Sequence, residues 1–213
     1  MKSPIDIADE LRTDILELRL EPGQPLREMV LAERFDASRR SVREALLVLS
    51  AERIVDHERN RGAVVRTFTA DDVRDLYRVR RVLESEGARN SVTASDEQLQ
   101  EVNRALAALL EAADGTHEST HALRDMQFHA SVIALAGSAR IDRFFEQLSV
   151  EMAYAIRLLL RDELDATTDS QLDVARHRAI AASLNDRDAV GAQRAILEHI
   201  DENEARLLRL LEG

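Results

Sequence analysis

Apolar and polar positions follow two different patterns along the chain, and each pattern predicts its own set of elements. Over residues 31–49, apolar side chains recur at helical spacing on both sides of a polar break at residues 36–38. The second of these helices carries a buried stripe at i, i+3, i+4 and i+7, formed by Val42, Ala45, Leu46 and Leu49. Residues 54–58 and 63–65 then predict two short strands around a basic turn.

From residue 69 onward the pattern is helical throughout. Start signals at Thr69 and Ser95 and a stop at Gly137 help to delimit six predicted helices, at about 70–93, 96–113, 118–136, 138–163, 169–185 and 187–211. Short joins imply antiparallel neighbours. The sequence therefore predicts a mainly α protein. Residues 1–68 form a winged helix-turn-helix of three helices plus a β-hairpin wing, and residues 69–213 form an all-α antiparallel bundle of about six helices.

Composition adds an uneven charge and excludes some classes of site. The chain carries a formal net charge of −11. Residues 1–68 hold 12 Lys and Arg against 13 Asp and Glu, whereas residues 69–213 hold 17 against 27, so the acidic excess lies in the second part. There is no cysteine, which excludes disulfides and thiolate metal sites. With no signal-peptide pattern and no long apolar run, we expect a soluble, cytoplasmic protein without membrane contact.

The second helix of the 31–49 region has a basic leading end that suits DNA. Arg39, Arg40 and Arg43 crowd its first two turns, and Ser38 occupies the N-cap position. Recognition helices enter the major groove by this end, where the helix dipole and first-turn side chains meet phosphates and base edges. The alternative is an ordinary helix with a solvated arginine face. In the same way, Arg61 and Gly62 form either the tip of a DNA-binding wing or a charged surface hairpin.

Four motifs in this region closely resemble the DNA-binding domain of GntR-type bacterial transcription regulators. They are Glu21-Pro-Gly-Gln-Pro-Leu26, Leu31-Ala-Glu33, Ser38-Arg-x-x-Val-Arg-Glu-Ala-Leu46 and Arg61-Gly-x-Val-Val65. The resemblance implies that Ser38, Arg39, Arg43 and Gly62 contact operator DNA, with Arg40 as an additional phosphate contact. Three positions depart from the family pattern, since glycine is replaced at Asp36 and Arg53 and proline at Ser41. None of them removes a matched contact, although Asp36 adds strain or repulsion to the turn.

Histidines carry the candidate chemistry of the second part. Asp125 and His129 are spaced i, i+4, so both side chains point the same way from one helix. His129, His177 and His199 each lie among apolar residues at helical spacing, which predicts that three helices direct imidazoles inward. A single buried histidine is usually hydrogen-bonded packing, but several unpaired buried imidazoles are costly unless they bind something. Three imidazoles and one carboxylate suit a divalent ion, namely Zn, Ni, Mn or Fe, with Zn favoured.

This constellation resembles the metal site of the FCD effector domain, which accompanies the winged helix in the FadR/VanR-like branch of the family. The family's Asp-x-x-x-His matches Asp125 and His129, and its two later histidines match His177 and His199. Six helices are more similar to the VanR-like subgroup. The resemblance then covers essentially the whole chain.

Arg80 is the candidate anchor for an effector. Its helical phase places it on a buried face, where a guanidinium needs an anion. Glu84, one turn later, could be that anion, or the carboxylate of a small organic acid could be. The family resemblance favours the effector. Tyr77 either lines the same pocket or packs in the core.

Together these features predict a homodimeric repressor that binds double-stranded operator DNA. A small carboxylate bound at the metal and Arg80 would alter operator affinity by changing the relative placement of the DNA-binding heads. Two alternatives stay open at this point. One is a regulator that responds to the metal with no organic effector, and the other is a metal-dependent hydrolase.

Overall fold

The chain folds into two compact units, Met1–Thr67 and Phe68–Gly213. They are seen in a computed structural model that describes residues 2–59, 61–113, 118–161 and 166–212. None of the helices in this described part combines the length and hydropathy that a bilayer span requires.

The first unit contains three helices and a hairpin: α1 (Pro4–Leu16), α2 (Glu28–Phe35), α3 (Arg39–Ala51), β1 (Val55–Glu58) and β2 (Gly62–Val65). Helix α1 begins with a capping box, in which Ser3 and Asp6 each accept a hydrogen bond from the other's backbone N–H. All four predicted stripe residues of α3 are buried, and α3 packs against α1, α2 and β1. The predicted winged helix-turn-helix is confirmed.

The hairpin is antiparallel, with Val55 paired to Val65 and Glu58 paired to Gly62. Between the two strands, Asn60 lies outside the described residues. Gly62 has φ of +77°, a left-handed conformation that suits glycine at this turn. Pro25 forms an isolated bridge to Val64, so the segment before α2 lies along the hairpin.

The second unit is helical: α4 (Ala70–Asn90), α5 (Asp96–Ala113), α6 (Glu118–Ala134), α7 (Ala139–Arg161), α8 (Ala166–Asn185) and α9 (Ala189–Glu212), with a 3-10 turn at Ser91–Thr93. Thr69 begins α4 with a second capping box. The predicted first helix of this unit ends three residues earlier than expected, at Asn90. Helix α8 begins three residues earlier than its pattern indicated. Residues 162–163 of the predicted fourth helix lie outside the described residues.

Helix packing brings four helices to a common interior. Helix α4 packs against α6 and α9, and α8 packs against α9, while α5 and α7 both cover α6. Gly87 permits the close approach of α4 to α6, since a Cβ atom there would lie 2.1 Å from the carbonyl oxygen of Val132. The polar side chains of the candidate site lie between these helices.

Candidate functional site

The four predicted metal ligands come together in the interior of the helical unit. Asp125 and His129 lie on α6, His177 on α8 and His199 on α9, and one ligand atom from each lies within 4.8 Å of all the others. All four side chains are buried. Tertiary packing thus converges three imidazoles and one carboxylate from three helices on one small volume.

Polar atoms in this cluster lack partners of their own. Among the described residues, Oδ2 of Asp125, Nε2 of His129 and Nδ1 of His199 are buried without a hydrogen bond. Nε2 of His129 lies 3.8 Å from Oδ2 of Asp125. Leaving buried polar atoms unpaired costs free energy. A divalent ion would satisfy the lone pairs of Asp125 and His129, and the donor set of three nitrogens and one oxygen fits zinc.

Neighbouring groups orient the three imidazoles. Nδ1 of His129 donates to Oε2 of Glu84 at 2.7 Å, and Nδ1 of His177 donates to the backbone oxygen of Asp173 at 2.8 Å. Nε2 of His199 lies 3.2 Å from the side-chain amide of Asn203. Such partners fix the ring orientation and the tautomer of metal-binding histidines. No sequence pattern indicated these contacts, although Asp173 and Asn203 stand four residues from His177 and His199, respectively, and so share their helical faces.

Burial and mutual charge act in opposite directions on the ionisation of the cluster. Burial raises the pKa of Asp125, but the charges of His129 and His177 and the His177 hydrogen bond outweigh it and hold that pKa well below its usual range. Burial lowers the pKa of His177, yet Asp125 outweighs it and raises that pKa to about 9. Burial, together with repulsion from His177 and His129, lowers the pKa of His199 well below its usual value. The cluster therefore holds a carboxylate and at least one neutral imidazole near neutral pH.

Arg80 is buried, and only part of its guanidinium is paired with Glu84. Its side chain is 1% exposed, and Nε donates to Oε1 of Glu84 at 2.8 Å. Both terminal nitrogens, Nη1 and Nη2, are buried without a partner among the described residues. Glu84 therefore takes one edge of the guanidinium, and the other edge is free for an additional anion.

Tyr77 lies beside Arg80. Its ring centroid is 5.4 Å from the guanidinium carbon. Burial raises the pKa of its phenol to about 12, so the hydroxyl is a neutral group. That hydroxyl is also buried with no hydrogen-bond partner in the described part of the chain, which leaves it available to a bound molecule.

The predicted DNA-contact residues occupy the exposed leading end of α3 and the wing. Ser38 is the N-cap, accepting from the backbone N–H of Ser41 at 3.0 Å. The side chains of Arg39, Arg40 and Arg43 are 63%, 89% and 61% exposed. Arg43 donates twice to Glu28, at 2.9 Å each, and Arg40 donates to Glu44. Weak, exposed ion pairs of this kind can exchange for phosphate or base contacts.

One concave surface collects most of these groups. Its volume is about 490 Å³, and Arg39, Arg43, Arg61 and Gly62 all line it. Ser38 and Arg40 lie outside that lining. Arg27 and His57 also line the surface, although no sequence pattern pointed to them. Arg27 precedes α2 and His57 lies on β1, so their place depends on how helix and hairpin pack.

Two departures from the glycine pattern adopt the conformation that glycine favours. Asp36 has φ of +46° and Arg53 has φ of +58°, both in the left-handed region. Asp36 ends α2 and Arg53 follows the C-cap of α3. The backbone turns at both places are therefore kept without glycine, at the cost of some local strain.

Comparison with known proteins agrees with this arrangement. The family described as "Bacterial regulatory proteins, gntR family" matches residues 5–65, and the "FCD domain" family matches residues 75–202. The HTH-type transcriptional regulator BphR of Paraburkholderia xenovorans is 31% identical, over 94% of this chain and 87% of that protein. The gluconate operon transcriptional repressor of Bacillus licheniformis is 25% identical, over 95% and 84%.

A solved structure shares the whole fold. The transcriptional regulator GntR from Rhodococcus sp. RHA1 superposes with a TM-score of 0.83 at 28% identity, covering 97% of each chain. The matching families and relatives are regulators of transcription and not enzymes, which rules against the hydrolase alternative. The chain belongs to the gntR family of bacterial regulatory proteins, with a helix-turn-helix domain that binds DNA followed by an FCD domain.

Proposed function

We propose that this regulator is a repressor whose operator affinity is controlled by a small organic acid, bound beside a divalent metal ion in the helical unit. Asp125, His129, His177 and His199 would hold the ion, with zinc favoured. Arg80 and Tyr77 would bind the acid. The observation that carries the proposal is the pairing of two unsatisfied groups, a buried four-donor cluster and a buried guanidinium with a free edge, linked through Glu84.

The chemistry of the two groups favours a carboxylate ligand. A bound divalent ion supplies positive charge and an open coordination position for an oxygen atom. Arg80 offers two parallel N–H donors from a planar fork, which match the two oxygens of a carboxylate. Tyr77 adds a neutral hydroxyl that can donate or accept. The gluconate operon named for one relative is in keeping with an organic acid effector.

On the DNA side, we propose that Ser38, Arg39, Arg40, Arg43, Arg61 and Gly62 contact the operator. The α3 arginines stand at the helix N-terminus, where major-groove readers place their base contacts. Gly62 lets the wing backbone approach the duplex closely beside Arg61. We further propose a homodimer, because two such heads related by a two-fold axis fit the two halves of a palindromic operator.

The test uses the full chain and an operator selected from genomic fragments by the purified protein. Operator affinity is measured by fluorescence anisotropy with zinc-loaded and metal-free protein, in the presence and absence of a panel of small carboxylates. We expect at least one carboxylate to weaken operator binding about fivefold or more, typical of allosteric coupling, and only with the metal-loaded protein. Loss of the same response in Arg80→Met would assign it to the site.

A metal-responsive regulator without an organic effector predicts a different result. In that case operator affinity follows the free zinc concentration with no carboxylate present, and Arg80→Met leaves the response intact. The buried, unpaired edge of Arg80 favours the organic acid, because metal sensing alone gives that edge no partner.

A further inference from the structure

Glu84 occupies a central place that neither a simple ion pair nor the ligand set accounts for. It lies on α4, is fully buried, and stands between Arg80 on its own helix and His129 on α6. Its two oxygens are divided between them, since Oε1 accepts from Nε of Arg80 at 2.8 Å and Oε2 accepts from Nδ1 of His129 at 2.7 Å. A single carboxylate thus touches both the metal cluster and the candidate effector anchor.

The bond to His129 decides which nitrogen can face an ion. Because Glu84 is an acceptor at Nδ1, that nitrogen carries the hydrogen, and the lone pair of neutral imidazole is left on Nε2. Nε2 is the atom that lies 3.8 Å from Oδ2 of Asp125 and has no partner in the described part of the chain. Carboxylate acceptors of this kind also increase the basicity of a ligating imidazole.

The bond to Arg80 decides which edge of the guanidinium can bind an anion. Because Nε donates to Glu84, the edge of the guanidinium that includes Nε is already occupied. Nη1 and Nη2 keep free hydrogens, and both are buried. A carboxylate can then pair end-on with these two terminal nitrogens. The hydrogen bond from Nε to Oε1 of Glu84 therefore sets the direction of Nη1 and Nη2.

We propose that Glu84 is a positioning residue for both halves of the site, holding His129 in the tautomer that binds metal and Arg80 in the orientation that binds a carboxylate. This inference rests on the proposed function. It deepens that function by making metal affinity and carboxylate affinity depend on one side chain. Gly87, one turn later on α4, contributes by allowing α4 close enough to α6 for the bond to His129.

Glu84→Gln is the informative substitution because it preserves size while removing one acceptor and the negative charge. Glutamine has a single acceptor oxygen, so either His129 or Arg80 faces an N–H group whichever way the amide turns. The positive charge of Arg80 is also no longer balanced beside the cation site. We expect Glu84→Gln to lower zinc affinity about tenfold or more, as loss of an outer partner of a ligand does.

Zinc affinity is measured by competition with a chelator on the full-length protein, after circular dichroism confirms that the variant is folded. Acetate is the carboxylate probe, titrated into zinc-saturated protein by NMR. We expect acetate affinity to fall as well, because the guanidinium is no longer held end-on. Wild-type zinc affinity in the folded variant, or wild-type acetate affinity in its zinc-saturated form, would overturn the inference.

Two further measurements keep the test decisive if Glu84→Gln does not fold. Glu84→Asp keeps both acceptors and the charge at shorter reach, and we expect smaller losses in the same direction. Histidine ¹⁵N shifts of the zinc-loaded wild type should show His129 protonated at Nδ1, and protonation at Nε2 would refute the inference without any variant. Glu86→Gln is the matched control, since Glu86 lies on the exposed face of the same helix and pairs with Arg89.

The outcomes separate this inference from the proposed function. If the wild-type protein binds neither zinc nor acetate, the proposed function fails. If the wild type binds both and Glu84→Gln binds them equally well, only the role of Glu84 is wrong.

Discussion

Asp125 on α6 and His177 on α8 meet at 2.9 Å between Oδ1 and Nε2. Because Nδ1 of His177 already donates to the backbone oxygen of Asp173, a neutral His177 would turn the lone pair of Nε2 toward a carboxylate. A positive charge at this point removes the repulsion. In the metal-free protein that charge is a proton. In the proposed metal-loaded protein it would be the ion, so a proton and a cation would compete for this position.

Replacing His177 by alanine removes one of four donors and the partner of Asp125. We expect His177→Ala to lower zinc affinity by roughly 100-fold or more, since even outer partners of a ligand contribute 10–100-fold. Chelator competition and metal analysis of the purified variant measure this. Unchanged metal content together with an unchanged carboxylate response would show that the site assignment is wrong. His57→Ala, on the hairpin and outside the helical unit, is the control for zinc affinity.

Zinc binding should release a proton from His177. Its pKa is raised to about 9, so the imidazole is protonated at pH 7.5 and must lose that proton to ligate. The pKa of Asp125 is held well below its usual range, so Asp125 is already ionised. We expect apparent zinc affinity to rise with pH up to about 9 and then to level off for this group. Calorimetry in two buffers of different ionisation enthalpy counts the protons, and finding none released at pH 7.5 would contradict the prediction.

The raised pKa of His177 also makes the stability of the metal-free protein depend on pH. Because the folded pKa of His177 lies above its ordinary value of 6.5, its protonated form favours the folded state. This contribution is fully present below pH 6.5 and is lost as the pH rises through about 9. Denaturation of the metal-free protein across this range should show the loss, and His177→Ala should abolish it.

Arg43 tests the DNA face. Its guanidinium is held by Glu28 at the exposed start of α3, and we propose that it exchanges this partner for DNA. We expect Arg43→Ala to weaken operator binding about tenfold or more. A phosphate contact would also reduce the salt dependence by about one charge, whereas a base contact would relax specificity at one position. Arg89→Ala on α4 is a control of similar exposure, 64% against 61%. Equal effects of the two variants would count against the assignment.

Gly87 tests the close approach of α4 to α6. A methyl group there would collide with the backbone of Val132, which cannot move without shifting the helix. We expect Gly87→Ala to cost about 1–3 kcal/mol of stability by overpacking and to lower zinc affinity by stretching the bond between Glu84 and His129. At Gly191 a methyl would meet only the side chain of Asp188, so Gly191→Ala should leave zinc affinity unchanged. Denaturation midpoints and chelator competition provide both readouts.

Arg53 tests the strain in the winged unit. Its φ of +58° is unfavourable for a residue with a Cβ atom by about 1–2 kcal/mol. Glycine would relieve this strain, but its greater chain entropy in the unfolded state offsets part of the gain. We expect Arg53→Gly to stabilise the unit by about 0.5–1 kcal/mol in chemical denaturation. Glu44→Gly, inside α3, should destabilise it by about 1 kcal/mol. A loss of stability in Arg53→Gly would contradict the account.

Local signals in the sequence were sufficient for most of the fold. The stripe of α3, the cap at Thr69 and the glycine of the wing each act within a few residues, and the structure has the corresponding elements. Helix ends were less predictable. Residues 91–93 form a 3-10 turn, and Arg187 donates to two backbone oxygens of that turn from a distant part of the sequence.

The members of the buried cluster were predictable from the sequence, but its supporting contacts were not. Inward-facing helical phase was enough to select the four donors, because each phase depends only on neighbouring residues. The double role of Glu84 depends on the packing of α4 against α6, which no local pattern encodes. The same holds for Arg27 and His57, which reach the basic surface only when helix and hairpin are assembled.

Native mass spectrometry of the purified full-length protein tests the central claim most directly, because it reports metal and small ligand together. The account predicts one divalent ion per chain, lost in His177→Ala, and an additional small carboxylate whose retention requires Arg80. A wild-type chain that stays metal-free after incubation with zinc would contradict it.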